Sequence, residues 1–144
     1  MAAVRQVSVF VENRRGSLAA VCRLLGAGGF NIHALSIAER DNFGICRLIV
    51  AKPEEAMKLM KARGYTVRLM DVLAARVPDR ANGLAEVLEI LEKEDIFVEY
   101  LYSFVRPQDG DAMIVFKLSD PERAQEALER KGITILTEEQ VCSL

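Results

Sequence analysis

The sequence predicts an α+β fold made of two tandem ferredoxin-like βαββαβ units, residues 1–71 and 72–144, packed as one body. The first supporting observation is an internal repeat of an amphipathic helix, with apolar residues at i, i+3, i+4 and i+7 in both copies. The two copies of this stripe, 66 residues apart, are Leu18, Val21, Cys22, Leu25 and Leu84, Val87, Leu88, Leu91. The second observation is that both halves alternate strand-like and helix-like segments in the same order. The third is that no Pro-, Gly- or Ser-rich linker separates the halves, which leaves no flexible tether between them.

The elements of the first unit follow from its turn and breaker residues as well as from its apolar spacing. A polar Asp41–Asn42 turn separates the two strands of a hairpin. Pro53 opens the second helix at a position where its missing N–H is tolerated, and Gly64 ends that helix. The predicted elements are strand Gln6–Val11, helix Ser17–Ala27, strands Ile32–Glu39 and Ile45–Ala51, the helix from Pro53 to Gly64, and strand Thr66–Leu73.

The second unit repeats this order with two extra residues, which we place in the turn Arg106–Gly110. Its first strand, near Leu73–Val77, follows the last strand of the first unit almost directly. The remaining predicted elements are helix Ala85–Glu92, strands Phe97–Val105 and Ala112–Leu118, helix Pro121–Lys131 and strand Ile133–Leu136. Right-handed crossovers through the helices would give each unit a four-stranded antiparallel sheet with two helices on one face.

The composition argues against several classes of function. With 51% hydrophobic and 28% charged residues, the 144-residue chain can bury a core. Its net charge of −2 argues against a nucleic-acid binder, which normally carries a basic face. No run approaches the ~18 uncharged apolar residues of a membrane span, and the N-terminus has no signal core, so we expect a cytoplasmic protein without membrane association. Three cysteines without a C-x-x-C pair indicate neither a zinc site nor a disulfide framework, and we expect no metal and no cofactor.

The residues that catalysis needs are sparse. His33 is the only histidine, and no Ser or Cys has an identifiable second base, so we predict that the protein is not an enzyme and has no catalytic residues. Gly26–Gly29 resembles part of a dinucleotide-binding loop but follows a helix instead of preceding one. This position favours a helix stop.

The segment Glu12–Leu18, between the first strand and the first helix, is the predicted ligand loop. Gly16 allows close backbone approach, and the loop brings backbone amides to a helix start, where the helix dipole favours a carboxylate. Asn13 offers a donor and an acceptor in one group, which suits a zwitterion. Asn31 begins the next strand, and we expect it near the same end of the sheet. The alternative is that Asn13 and Ser17 only cap the helix.

Two motifs carry a resemblance to a known family. Val9–Leu18 reads as a strand followed by E-N-R-R-G-S-L, and Gly28–Ile32 reads G-G-F-N-I. These segments resemble the ACT domain, whose pattern is a strand, an E/D-N/R-x-P-G-x-L loop, a helix and G-x-N-I. Across both copies the chain resembles the stand-alone tandem ACT proteins of bacteria and archaea. The resemblance implies that a free amino acid binds at an ACT–ACT interface, through Asn13 and Asn31, and that binding regulates a metabolic enzyme or pathway.

The candidate ligand-binding residues belong to the loop, the next strand start, their counterparts in the second copy, and one aromatic wall residue. They are Asn13, Arg14, Arg15, Gly16, Ser17, Leu18, Asn31, Ile32, Asn82, Gly83, Leu84 and Tyr100. Arg15 stands where the family has proline, and in the second copy Phe97 stands where it has the Asn of G-x-N-I. We therefore expect the main site in the first copy, with Tyr100 as a pocket wall or, alternatively, a core residue.

The oligomeric state and the rival functions follow from the same features. Open sheet edges and the ACT resemblance favour a homodimer. The resemblance also implies a metabolic enzyme as a partner. One alternative function is a protein-interaction or assembly module that binds no ligand. Another is a hydrolase of the acylphosphatase type, which shares the topology, although the chain lacks a glycine-rich phosphate loop with a suitably placed Arg.

Overall fold

The order of strands and helices is the same in the two halves of the chain. The computed structural model describes residues 3–107 and 109–144 and divides into two units. The N-terminal unit comprises Arg5–Met70 and Cys142–Leu144, and the C-terminal unit comprises Asp71–Val141 together with Ala3 and Val4. The α+β class and the doubled βαββαβ order are confirmed. The packing of the units as one body stays a prediction.

The sheet of the N-terminal unit has the strand order β2-β3-β1-β4. Its elements are β1 (Val4–Glu12), α1 (Ser17–Ala27), β2 (Ile32–Arg40), β3 (Phe43–Val50), α2 (Pro53–Ala62) and the start of β4 (Thr66–Pro78). Both neighbours of β3 are antiparallel to it: Glu12 and Arg40, at the ends of β1 and β2, each lie opposite Phe43. Ile32, at the start of β2, lies opposite Val50. In the described part of the chain β3 is the only strand paired with β2, so β2 is an open edge.

The two helices of the N-terminal unit cover one face of its sheet. Val21 and Leu25 of α1 and Ala56 and Met60 of α2 are buried, as their helical spacing predicts. The strand residues in this core are Val7, Val9, Val11, Cys46, Leu48, Val50 and Val67. Burial and, secondarily, the neighbouring Cys22 thiol raise the pKa of Cys46 to about 12, so this thiol is protonated at neutral pH.

In the C-terminal unit the first strand is the continuation of β4, where the sequence predicted two strands meeting near Leu73. No Gly or Pro interrupts residues 66–77, so a single strand runs from Thr66 to Pro78. The other elements are α3 (Gly83–Lys93), β5 (Val98–Ser103), β6 (Asp111–Leu118), α4 (Pro121–Arg130) and β7 (Ile135–Leu136). Here β4 lies between β7 and β6, and β5 is the outer neighbour of β6.

The core of the C-terminal unit repeats that of the first, because the helices carry the same apolar stripe. Its main members are Leu73, Ala75, Val77, Val87, Leu91, Ile114, Phe116, Leu118, Ala124 and Leu128. The strand β5 ends at Ser103, two residues before the predicted end, and Gln108 of the predicted turn Arg106–Gly110 lies outside the described residues.

A fifth helix, α5 (Glu138–Cys142), was not predicted from the sequence. Thr137 Oγ1 accepts a hydrogen bond from Gln140 N at 3.2 Å, and Gln140 Oε1 accepts one from Thr137 N at 2.9 Å. This reciprocal pair is the T-x-x-Q capping box, a signal that is visible in the sequence.

The starts of α2 and α4 allow a matched test of one helix cap. Asp120 precedes α4 and accepts a hydrogen bond from Arg123 N at 3.2 Å, whereas Lys52 precedes α2 without a side-chain cap. Asp120→Ala should lower the free energy of unfolding by about 1 kcal/mol. Lys52→Asp should raise it by up to about 1 kcal/mol, because Lys52 has a similar backbone, with φ −126° and ψ 77° against φ −141° and ψ 83°. Urea denaturation of both variants checks this, and opposite signs are required.

Candidate functional site

Gly16 starts helix α1 in a conformation that glycine adopts without strain. It is the N-cap residue, with φ +87° and ψ −9°, in the left-handed region. No side-chain hydrogen bond caps the helix, so the alternative in which Asn13 or Ser17 caps α1 is wrong. The first N–H groups of a helix have no intrahelical acceptor, and Leu18 and Ala19 carry such groups here. The loop therefore presents amides at the positive end of the helix dipole.

Asn13 is exposed and is held against the β2–β3 turn. Its backbone N donates to Asn42 O at 3.0 Å. Its side-chain Nδ2 approaches Glu39 Oε1 at 3.3 Å and Asp41 O at 3.4 Å. Both side-chain contacts are long, so an incoming ligand can displace them at small cost.

The loop separates two cavities. The first, here called the β2-side cavity, has a volume of about 360 Å³ and is lined by Val11, Glu12, Asn13, Arg14, Ser17, Leu18, Ile37, Glu39 and Gly44. The second, here called the arginine cavity, has a volume of about 520 Å³. It is lined by Phe10, Val11, Glu12, Arg14, Arg15, Gly16, Ser17, Ala20, Arg63, Gly64, Tyr65 and Thr66. The predicted loop residues thus divide between two adjoining sites.

The polar lining of the β2-side cavity carries both signs of charge. Glu12 and Glu39 contribute carboxylates, and Arg14 contributes a guanidinium. Arg14 Nε lies 3.2 Å from Glu12 Oε2, but both side chains are at least 70% exposed, so this pair is weak. Leu18 and Ile37 add apolar surface. The cavity can therefore bind an ammonium, a carboxylate and an apolar group together.

Asn31 and Ile32 lie at the other end of the sheet, and the expectation that they lie near the loop is wrong for a single chain. β1 and β2 both run antiparallel to β3, so the start of β2 lies opposite the end of β3. The loop follows the end of β1, next to the end of β2. The length of β2, about 25 Å, separates the two groups of candidate residues.

Asn82 in the C-terminal unit has the backbone role of Gly16. It is the N-cap of α3 with φ +67°, again without a side-chain cap, and it follows Gly16 by 66 residues. The counterpart of Asn13 at the same spacing is Asp79. The second loop therefore keeps the turn but presents a carboxylate where the first presents an amide.

Gly83 and Leu84 follow Asn82 at the start of α3; Gly83 is buried, whereas Leu84 is exposed. A Cβ placed on Gly83 would be 2.0 Å from the carbonyl oxygen of Pro78, so only glycine fits there. Leu84 is 36% exposed, unlike its half-buried counterpart Leu18.

The arginine of the second loop, Arg80, is paired with a carboxylate of its own unit. Arg80 donates to both carboxylate oxygens of Glu86, at 3.2 and 2.9 Å. This hydrogen bond and the guanidinium charge lower the pKa of Glu86. The residue of α1 that corresponds to Glu86 is Ala20, so the first loop has no such carboxylate.

Tyr100 does not lie beside the loop of its own unit. Leu101 packs into the core, so the adjacent Tyr100 and Tyr102 point to the other face of the sheet, with ring centroids 6.4 Å apart. Tyr100 lies opposite Lys117 of β6. Pro78, at the end of β4 where the loop begins, lies opposite Asp111, six residues away along β6. On that face Tyr100 is half-buried and Tyr102 is 8% exposed.

The single histidine of the chain lies in β2. His33 is half-buried in β2, and desolvation lowers its pKa. Within residues 3–107 and 109–144, no three His, Cys, Asp or Glu side chains are grouped so that they could hold a metal ion. No helix in the same ranges has the length and apolar character to cross a membrane.

Several residues that line the two cavities were not predicted from the sequence, among them Glu39, Arg63 and Tyr65. Glu39 could have been found, because β1 and β2 both run antiparallel to β3, and this brings their C-terminal ends to the same end of the sheet. Arg63 and Tyr65 flank Gly64, and the sequence pattern there predicts only the end of a helix.

The doubled fold and its loops match a known family. A family model described as an ACT domain pair matches residues 2–144. The chain is an ACT domain pair. The resemblance read from its two motifs is therefore confirmed over both repeats.

Two solved structures resemble this ACT domain pair. Protein BT0572 from Bacteroides thetaiotaomicron superposes with a TM-score of 0.91 and 34% identity, covering 99% of this chain and 98% of that one. The regulatory subunit of aspartate kinase from Thermus thermophilus superposes with a TM-score of 0.63 and 14% identity, covering 88% and 91% of the two chains. The second likeness is one of fold.

One curated relative of the ACT domain pair is named as an enzyme subunit. The acetolactate synthase small subunit of Haemophilus influenzae is 26% identical over 121 residues, covering 84% of this chain and 67% of that protein.

Proposed function

We propose that this ACT domain pair is a non-catalytic sensor of a free amino acid that regulates a metabolic enzyme. The observation that carries the proposal is the β2-side cavity, where the uncapped start of α1, the Asn13 amide and carboxylates of both flanking strands converge. An amino acid presents the complementary groups.

The charges suggest how such a ligand would bind. The α-carboxylate would accept a hydrogen bond from the amide of Leu18, which lines the cavity at the positive end of the helix dipole. The α-ammonium would donate to Glu39 and to Asn13 Oδ1, which accepts no hydrogen bond from the described residues. A volume of about 360 Å³ accommodates a single small molecule.

A second copy of the chain could complete this cavity. The edge of β2 is open, and Ile37 on that strand is 49% exposed. Antiparallel pairing of β2 with β2 of a second copy, about a two-fold axis near its middle, would bring Asn31 of the second copy to the loop end. This homodimer would unite Asn13 and Asn31, which one chain keeps apart.

A partner enzyme is supported by the Haemophilus influenzae relative, which is named as the small subunit of acetolactate synthase. Ligand binding would regulate such a partner if the amino acid binds one of two assembly states more tightly. The rival proposal, an assembly module without a ligand, is favoured by the open edge and by exposed Ile37 alone.

A thermal-shift screen against the twenty proteinogenic amino acids tests the proposal. One amino acid, or a group of similar ones, should raise the melting temperature by about 5 °C or more. A ligand at 100 times its Kd adds about 2.7 kcal/mol of stability, and 1 kcal/mol corresponds to roughly 2–4 °C for a domain of this size. If no amino acid shifts the transition while sedimentation still shows dimers, the assembly module is the better account.

A further inference from the structure

We propose that the arginine cavity binds a phosphate dianion, either as free phosphate or as the phosphate group of a small organic molecule. The cavity lies on the opposite side of the loop from the β2-side cavity, entirely within the N-terminal unit. The proposal concerns a second ligand and does not depend on the amino-acid site.

The charge of this cavity is strongly positive. Arg14, Arg15 and Arg63 line it, with Glu12 as the single carboxylate. Glu12 pairs with Arg14 at 3.2 Å. Among the described residues no carboxylate lies within 4 Å of Arg15 or Arg63. Two guanidinium groups thus face the cavity unneutralised, and guanidinium binds phosphate oxygens with paired, charge-assisted hydrogen bonds.

The far wall of the cavity is held by a well-bonded turn. Arg63 N donates to Met60 O at 3.1 Å, Gly64 N donates to Lys61 O at 3.0 Å, and Tyr65 N donates to Met60 O at 3.1 Å. Gly64 has φ +87°, so the turn reverses directly after the arginine. Tyr65 packs against the core of the unit. The base of Arg63 is therefore positioned before any ligand arrives, which lowers the entropic cost of binding.

The second repeat supplies a comparison inside the same chain. There, Arg80 is neutralised by two hydrogen bonds to Glu86, and Ala81 replaces Arg15. In the first repeat Ala20, at the position of Glu86, lines the cavity instead. The arginine of the second loop is thus held by Glu86, whereas in the first loop Arg14 has only its exposed, weak pair with Glu12, and Arg15 adds a second guanidinium.

The excess of positive charge in the arginine cavity favours a dianionic ligand over a zwitterionic one. A zwitterionic amino acid has no net charge to offset two unpaired guanidinium groups. A phosphate monoester carries −1.5 to −2 charges at neutral pH and three acceptor oxygens. The volume of about 520 Å³ leaves space for an organic group beside the Tyr65 ring.

Calorimetric titration with inorganic phosphate and with glycerol 3-phosphate tests the assignment. The unmodified protein should bind at least one of them, and affinity for glycerol 3-phosphate should increase between pH 5 and pH 7.5, because the second pKa of a phosphate monoester is about 6. Arg63→Gln should weaken binding about tenfold to a hundredfold. Ala20→Glu adds a second carboxylate to the lining of the cavity, at the position that Glu86 has in the second repeat, and should weaken binding similarly. Arg23→Gln removes the same charge from an exposed position of α1 outside the cavity and should have no effect.

Three results would overturn the assignment. The first is no binding of either phosphate by the folded, unmodified protein. The second is equal binding by the Arg63, Ala20 and Arg23 variants, with circular dichroism showing that all are folded. The third is equal affinity for malonate, a dicarboxylate without a tetrahedral group. Asn13→Ala should leave phosphate binding unchanged, since Asn13 does not line this cavity, so failure of the amino-acid proposal would be seen separately.

Discussion

Asn13→Ala should weaken binding of the sensed amino acid about tenfold to a hundredfold without unfolding the protein. The variant removes a side-chain donor and acceptor that would face charged groups of the ligand, at a cost of about 1.5–3 kcal/mol, and each 1.4 kcal/mol is about tenfold in affinity. The fold should tolerate the change, because Asn13 is exposed and its side-chain contacts are 3.3 and 3.4 Å long. Calorimetry with the best amino acid from the thermal screen gives the affinity.

Asp79→Ala is the matched control for Asn13→Ala, since Asp79 occupies the same position in the second repeat. It should leave the affinity unchanged. Loss of binding in the Asp79 variant alone would place the site in the C-terminal unit. Unchanged affinity in both variants would show that neither the Asn13 nor the Asp79 side chain contacts the ligand. Asn82→Ala is a poorer control, because Asn82 holds φ +67° and alanine would be strained there.

Gly83→Ala should lower the free energy of unfolding by about 3 kcal/mol, the largest effect expected for loss of a single glycine in this chain. The new methyl group would lie 2.0 Å from Pro78 O, which is backbone and cannot rotate away. Relief requires α3 to move away from the end of β4 and to disturb the packing of Val87 and Leu91 against the core. Urea denaturation, with the midpoint and the slope fitted together, measures the loss.

Gly26→Ala is the contrasting control for the effect at Gly83. Gly26 lies inside α1, and a Cβ there would meet no atom within 4 Å. This variant should be neutral or more stable by about 0.5–1 kcal/mol, because alanine loses less conformational entropy than glycine in a helix. If both variants had similar stability, the close approach of Gly83 to Pro78 would be absent in solution.

Most of the fold was predicted from the periodic spacing of apolar residues. The apolar stripes of α1 and α3 are read correctly because their spacing is the same whichever partner covers them. Strand boundaries that depend on pairing with other strands were predicted less accurately. β4 continues through Leu73 because its residues there are hydrogen-bonded to a neighbouring strand and no glycine or proline interrupts it. The short helix α5 was missed although its Thr137–Gln140 capping box is legible.

The candidate site was predicted in part. The loop and its glycine were found from local chemistry, since a left-handed N-cap favours Gly or Asn in any fold. The error over Asn31 arose from strand direction: a helical crossover returns the chain to the opposite end of the sheet before β2 begins. Arg63 is 47 residues from Gly16 in the sequence, and only the folded sheet brings the two segments to one cavity.

The wall between the two cavities has a consequence for signalling. Val11, Glu12, Arg14 and Ser17 line both of them. An occupant of either cavity that reorients Arg14 or Ser17 changes the shape and charge offered to the other. Thermodynamic linkage makes any such coupling reciprocal, so that a tenfold effect in one direction, about 1.4 kcal/mol, is a tenfold effect in the other. A single loop would then let the protein respond to the coincidence of two solutes, one charged and one zwitterionic, instead of to the concentration of either alone.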